Sequence, residues 1–201
     1  VTVVGAVSPP GGDISEQVSQ GTLRITKTFW ALDANLARRR HYPAINWLKS
    51  YSLYLDDLHE YYSKQVSPEF LPLRARAMEL LQKEAELQNI VQLIGPDALP
   101  DRERLVLEVT KMIREDYLQQ FAFDEVDGYT SLHKQHAMLK TILHYYDKAS
   151  SAINLDVPLE KIMAVKEKDG IAQLKRVKEE DFDKTNKHLL AALDESFAKL
   201  K

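Results

Sequence analysis

From Ser67 onward, apolar residues recur at the 3.6-residue spacing of helices, and the breaks between runs are only a few residues long. Ser67 and Pro68 supply a cap and a first-turn proline. Ala77, Leu80, Leu81, Leu87, Val91 and Ile94 follow on one stripe until Gly95-Pro96 stops it. After the tight loop "GPDALPD", a second stripe carries Leu105, Val109, Met112, Ile113 and Tyr117. A third begins near Thr130 with Leu132, Leu139, Ile142, Leu143 and Tyr146. A shorter helix opens at Pro158, and a last one presents Phe182, Leu189, Leu193, Phe197 and Leu200. Helices joined so tightly must pack as antiparallel neighbours, so residues 67–201 are predicted to form a helical bundle.

Residues 1–66 follow another pattern. Val1 to Val7 reads as a buried-type strand, stopped by Pro9, Pro10, Gly11 and Gly12. An apolar strand with nothing before it is an edge without a partner, so the chain reads as a piece of something longer. The stretch "QVSQGTLRITKTFWAL" favours a strand on propensity alone. The change of regime falls near residues 50 to 67.

Several function classes are excluded by what the chain lacks. A net charge of -3 gives no basic surface for nucleic acid or anionic lipid. With no cysteine there are no disulfides, thiolate metal sites or cysteine nucleophiles. No apolar run approaches the roughly 20 residues that span a bilayer, and "VTVVGAVSPP" lacks the basic start of a signal peptide. His133 and His136 stand three apart on a predicted helix, but no third ligand has metal-site spacing. Asp56-Asp57 and Glu179-Glu180-Asp181 are adjacent and so point apart, as solvated faces or caps do. Neither GxGxxG nor GxxxxGK[ST] occurs, so no phosphate cradle is read here. "YLQQFAF" places Tyr117, Phe121 and Phe123 at a helix end, either closing the bundle core or offering ring faces to a planar heterocycle.

Four separated stretches, "GAVSPPGGDISE", "FWALDANLARRRHYPAINW", "QNIVQLIGPDALPDRERL" and "REDYLQQFAF", together resemble the catalytic A subunits of archaeal-type and vacuolar-type rotary ATPases. They occur in the family's order and cover roughly residues 1 to 125. The resemblance implies a mainly α fold: a C-terminal helical bundle, residues 67–201, preceded by the last strands and helix of a RecA-like α/β nucleotide-binding core, residues 1–66. It implies that "QGTLRITKTFWAL" is a helix and "NLARRR" a short strand, against propensity. The P-loop, the Walker B aspartate and the glutamate that orients water are upstream elements in that family. The fragment is therefore expected to hold no catalytic residue and to be inactive alone.

By the same resemblance, the turn "HYPAIN" sets an aromatic ring against adenine. Tyr42 stands where the family more often has Phe, and Pro43 fixes the turn. Tyr117, Phe121 and Phe123 match the aromatics that close the other side of the base, although an Asn is commoner at the position of Phe121. Arg38, Arg39 and Arg40 anchor the strand or a subunit interface and are not the arginine finger, which the non-catalytic partner supplies. Two loops resemble rotor contacts of the related F-type β subunit. "GPDALPDRE" aligns with its stalk-pushing loop through Asp97, Leu99, Asp101 and Glu103, with Leu99 and shape expected to matter more than charge. "GGDISE" resembles its catch loop through Asp13, Ser15 and Glu16, which are expected to bond the stalk. The implied ligand of the whole subunit is ATP or ADP with Mg2+, and the implied partners are B subunits in an alternating A3B3 hexamer and the central stalk. No nucleic acid is implied, and the membrane is met only through the ion-translocating sector, from its cytoplasmic side. The competing readings are a free-standing helical interaction protein and a non-catalytic B-type subunit.

Overall fold

A strand exists only where a neighbour can take its hydrogen bonds, and that rule decides the N-terminal third. A computed structural model of the chain describes residues 1–200, the Ile94 side chain excepted, so the expected place of that side chain on the first stripe lies outside the described residues. Val1 to Val7 do not form the expected strand: the segment is irregular and exposed, because no other segment among the described residues pairs with it. Glu16 then caps α1 (Gln17–Ile25) by accepting from Val18 N at 3.1 Å and Ser19 N at 2.6 Å. The capped start overrides the β propensity of this stretch, but the helix ends at Ile25 and does not reach the "TFWAL" that the resemblance assigns to it. Thr28 and Phe29 are instead β1 (Thr28–Phe29), paired antiparallel with β2 (Tyr51–Ser52), Thr28 opposite Ser52. "NLARRR" is not a strand either. Ala34 to Arg38 form α2 (Ala34–Arg38), because the Asp33 carboxylate accepts from Asn35 N and Leu36 N and the residues are good helix formers. The region of the regime change contains a short helix that apolar spacing does not reveal, α3 (His59–Gln65).

The bundle follows its stripes closely. Ser67 and Pro68 fall in the turn ahead of the helix, where Ser67 Oγ accepts from Glu69 N at 3.2 Å, so the expected cap at Ser67 is displaced to Glu69. Helix α4 (Phe70–Ile94) runs about 37 Å at 1.5 Å per residue. Gly95 ends it at φ 83°, a left-handed conformation that suits glycine. A 3-10 turn (Pro96–Ala98) leads into α5 (Asp101–Met112), which continues as a π-helical segment (Ile113–Leu118). Next come α6 (Leu132–Ile153), α7 (Leu159–Met163), α8 (Glu167–Gln173), which is too short to show a stripe, a 3-10 turn (Leu174–Arg176) and α9 (Glu179–Lys199). Helix α6 packs against α4, α5 and α9, and the core gathers Leu105, Val109, Ile142, Leu143, Leu193 and Phe197, each almost fully buried. The histidine pair does not converge on a shared site. His133 contacts Asp183 at 2.8 Å, and His136 lies edge-on to the Phe70 ring.

The charged groups that enter this core have partners, whereas the buried Tyr145 hydroxyl finds none among the described residues. Arg114, at the start of the π segment, meets Glu84 of α4 at 3.1 Å, with side chains 20% and 8% exposed. Burial raises the Glu84 carboxyl above its usual range even with Arg114 beside it, so desolvation outweighs the attraction of the pair. Removing one member strands the other. Glu84→Ala is expected to cost about 3 kcal/mol, whereas Glu84→Leu with Arg114→Met stays within about 1 kcal/mol of the parent. Urea unfolding of both variants checks this, and equal losses would disprove it.

Asp116, in the same π segment, has its carboxyl raised to about 6, chiefly by burial, with Lys175 opposing. A raised carboxyl holds its proton in the folded state between 3.8 and about 6, so its contribution to stability falls as pH rises through that window. Asp116→Asn is expected to be the more stable protein by about 1 kcal/mol near pH 7.5, after discounting for solvent screening, and to match the parent near pH 4. Denaturant midpoints across that range provide the measurement. A gap that is the same at both ends would refute the assignment.

Candidate functional site

The turn from His41 to Trp47 is held from two sides. On one, Leu32 bridges Ile45, with Asp33 N donating to Ala44 O at 2.9 Å and Asn46 N donating to Ala31 O at 2.7 Å. The Asn46 amide also donates to Asp33 Oδ2 at 2.9 Å, which holds that carboxyl below its usual range. Arg40 enters the turn at φ 57°, a left-handed conformation that few side chains adopt. His41 is only 9% exposed and tilts against Trp47 with ring centres 5.4 Å apart. Burial, then the charges of Arg114 and Arg39, push the His41 imidazolium toward its neutral form. Tyr42 and Pro43, joined by a cis peptide, are left at the surface, Tyr42 53% exposed.

The second hold comes from the bundle. Gln120 N donates to Tyr42 O at 2.8 Å, and the Gln119 side-chain amide donates to Arg40 O at 3.2 Å. The two aromatic stretches of the sequence, "HYPAINW" and "YLQQFAF", therefore meet. Their aromatics divide. Tyr117 packs with the core, its phenol pushed up to about 12 by burial. Phe121 and Phe123 do not close the core: they stand 61% and 90% exposed, edge to face at 5.9 Å. The turn beneath them is built by Asp124, which accepts from Val126 N and Asp127 N, and by Asp127, which accepts from Phe121 N at 2.8 Å. Gly128 is required there, since a Cβ would stand 2.7 Å from Asp124 O.

Between the two stretches lies a cavity of about 320 Å³, its apolar side formed by Pro43, Ile45, Trp47, Tyr117 and Met138, and its polar side by Gln120, Asp127 and Lys175. Ring faces open to solvent suit a planar base. No cluster of metal-binding side chains occurs among the described residues.

The two candidate rotor loops are organised differently from their expectation. Leu99 is 6% exposed and belongs to the core, so it seats its loop and offers no outward contact. Asp97 is exposed, but Asp101 is engaged by Arg104, which also reaches Glu160, while Arg102 donates to Asn154. Glu103 is half-buried in the first turn of α5. In "GGDISE", Asp13 accepts from Ser15 N and Ser15 Oγ, and Glu16 is occupied as the cap of α1. Those side chains close their own turn first.

Residues that organise the wall without being anticipated are His41, Gln119, Gln120, Asp127 and Lys175. For His41 and the glutamines, the only signal is position inside the aromatic stretches. The "FDEVDG" of a tight turn marks Asp127. Lys175 leaves no local signal, since it arrives from some 50 residues away.

Two family models match the chain. Residues 59–163 match the family model described as the C-terminal domain of V and A type ATP synthase, and residues 1–52 match the nucleotide-binding domain of the ATP synthase alpha/beta family. The A subunit of the A-type ATP synthase from Methanopyrus kandleri is 54% identical over 200 residues, covering 100% of this chain and 34% of the relative. That of Thermococcus onnurineus is 54% identical over 198 residues, 98% of this chain and 33% of the relative. That of Pyrococcus abyssi is 59% identical over 175 residues, 87% of this chain and 17% of the relative. The chain thus spans about a third or less of the length of these relatives. With a family model covering residues 59–163, more than half its length, the chain belongs to the family of the C-terminal domain of V and A type ATP synthases.

Proposed function

We propose that this chain is the adenine-side wall and the rotor-contacting helical part of a catalytic A subunit in a rotary ATP synthase. The observation that carries the reading is the 2.8 Å bond from Gln120 N to Tyr42 O, which brings the Tyr42 turn beside the exposed rings of Phe121 and Phe123. In this reading Tyr42, Phe121 and Phe123 offer faces to the base, and Pro43 and buried Tyr117 hold those faces in place. The ligand is ATP or ADP with Mg2+. The phosphates and the metal are held by polypeptide outside residues 1–201, so the chain alone turns nothing over. Domains of 1–66 and 67–201 then serve different tasks, the first completing a nucleotide-binding core and the second conveying its movement.

The loop at Pro96 to Asp101 and the aromatic wall occupy opposite ends of one rod, α5 with its π segment, roughly 25 Å long by helical rise. A shift of the wall on nucleotide binding would move the loop against a central stalk. Asp97 and the partly covered Asp101 and Glu103 present its polar edge, while Leu99 braces it from inside. Asp13, Ser15 and Glu16 form a second, self-bonded contact loop. The remaining partners are B subunits in an alternating A3B3 hexamer, and the whole assembly stands peripherally on the cytoplasmic side of the membrane. No helix among the described residues is long and apolar enough to cross one.

The test is nucleotide binding by the full-length subunit in its assembly. Tyr42→Ala or Phe123→Ala is expected to weaken ATP binding by about 1–3 kcal/mol, roughly 5- to 150-fold, through lost stacking and burial. Tyr42→Phe, which keeps the ring face, is expected to bind almost as the parent does. Parental affinity in both alanine variants would make these rings ordinary surface and end the proposal.

A further inference from the structure

Lys175 sits on the 3-10 turn between α8 and α9, far in sequence from either half of the wall. Its Nζ donates to Gln119 O at 3.2 Å and to Glu115 O at 2.8 Å, two carbonyls left open where the π segment ends. A cation is favoured at a helix C-terminus for that reason. The carbonyl of Gln119 belongs to the same peptide group as the N–H of Gln120, and that N–H is the one that donates to Tyr42 O at 2.8 Å. One peptide plane therefore takes an ammonium on its oxygen and holds the Tyr42 turn with its nitrogen. A charge on the carbonyl polarises the amide and strengthens its donor, as in any chain of hydrogen bonds.

The turn that carries Lys175 is itself fixed from below. Lys134, fully buried in the first turn of α6, donates from Nζ to Lys175 O at 3.1 Å and to Val177 O at 2.6 Å. Its ammonium also lies 5.5 Å from the centre of the Phe182 ring. A buried lysine is rare unless its donors are occupied, and here they are spent on the main chain that presents Lys175.

We infer that Lys175 is a positioning residue of the aromatic wall: braced by Lys134, it fixes the Tyr42 turn against Phe121 and Phe123 through the Gln119–Gln120 peptide. This rests on the adenine reading of the wall. It adds a residue whose Nζ bonds main-chain carbonyls of the wall, and whose contribution depends on an ammonium at one point.

The experiment uses the full-length subunit in its assembly, with Lys175→Met, which keeps the stem, and Lys175→Arg, which keeps a donor. Amide hydrogen exchange is read at Gln120 and across residues 41–45. Binding is read for ATP and, as a probe without a base, for inorganic tripolyphosphate. Lys175→Met is expected to speed exchange at Gln120 about 10-fold and to weaken ATP binding about 3- to 10-fold while leaving tripolyphosphate binding unchanged. Lys175→Arg is expected to restore most of both. Unchanged exchange in Lys175→Met overturns the inference, as does an equal loss for ATP and tripolyphosphate, which would mean general damage. Faster exchange with parental ATP affinity also overturns it. Tyr42→Ala, measured beside them, separates that failure from failure of the adenine reading: if Tyr42→Ala weakens ATP binding, only the role of Lys175 is lost.

Discussion

Helix α6 is covered by α4, α5 and α9; among the described residues its buried His136 Nε2 and Tyr145 hydroxyl find no hydrogen-bond partner, but its other buried polar side chains satisfy themselves without water. Lys134 does so through two carbonyls, and Thr141 through Ala137 O and the Asn186 amide oxygen at 2.7 Å. Those bonds are what attach the later helices in one register. The Lys134 bonds fix the start of α9 and the turn before it, and the Thr141–Asn186 bond fixes the rotation of α9 about its own axis. Burial of Ile142, Leu143, Leu193 and Phe197 supplies the larger free energy, but it is tolerant of rotation where a hydrogen bond is not.

Seen from this centre, the two sensitive places of the molecule are the two ends of α5. At one end Leu99 locks the loop inward, and at the other the backbone of Gln119 and Gln120 is claimed by Lys175 and Tyr42. The stretch between them is buried along Leu105, Val109 and Ile113, so it is free to move only together with its neighbours. The Glu84–Arg114 pair and Asp116, all close to the π segment, place ionisable groups in low dielectric at that end. The exposed pair Arg76–Asp147, by contrast, lies in water and contributes little to holding α4 on α6.

Legibility in the sequence follows the range of the forces involved. The long helices are readable because their stripes are local and repetitive, and Gly95 marks a real end. Residues 1–52 mislead where pairing decides: Val1 to Val7 have strand composition but no neighbour, and "NLARRR" becomes a helix because of Asp33. The wall is visible as two stretches, through resemblance as well as composition. That they meet, that Phe121 and Phe123 face solvent while Tyr117 does not, and that Leu99 points inward all depend on contacts between distant segments. No local pattern encodes them.

The bonds that assemble the wall run almost wholly to main-chain atoms: Tyr42 O, Arg40 O, Gln119 O, Glu115 O and Phe121 N. Such a frame is indifferent to most of the side chains it displays. Phe121 and Phe123 project from it without taking part, and Tyr42 keeps only a long 3.5 Å contact from its hydroxyl. The frame and its facing can therefore change separately. Side chains at positions 42, 121 and 123 can be exchanged, and the scaffold beneath them keeps its shape.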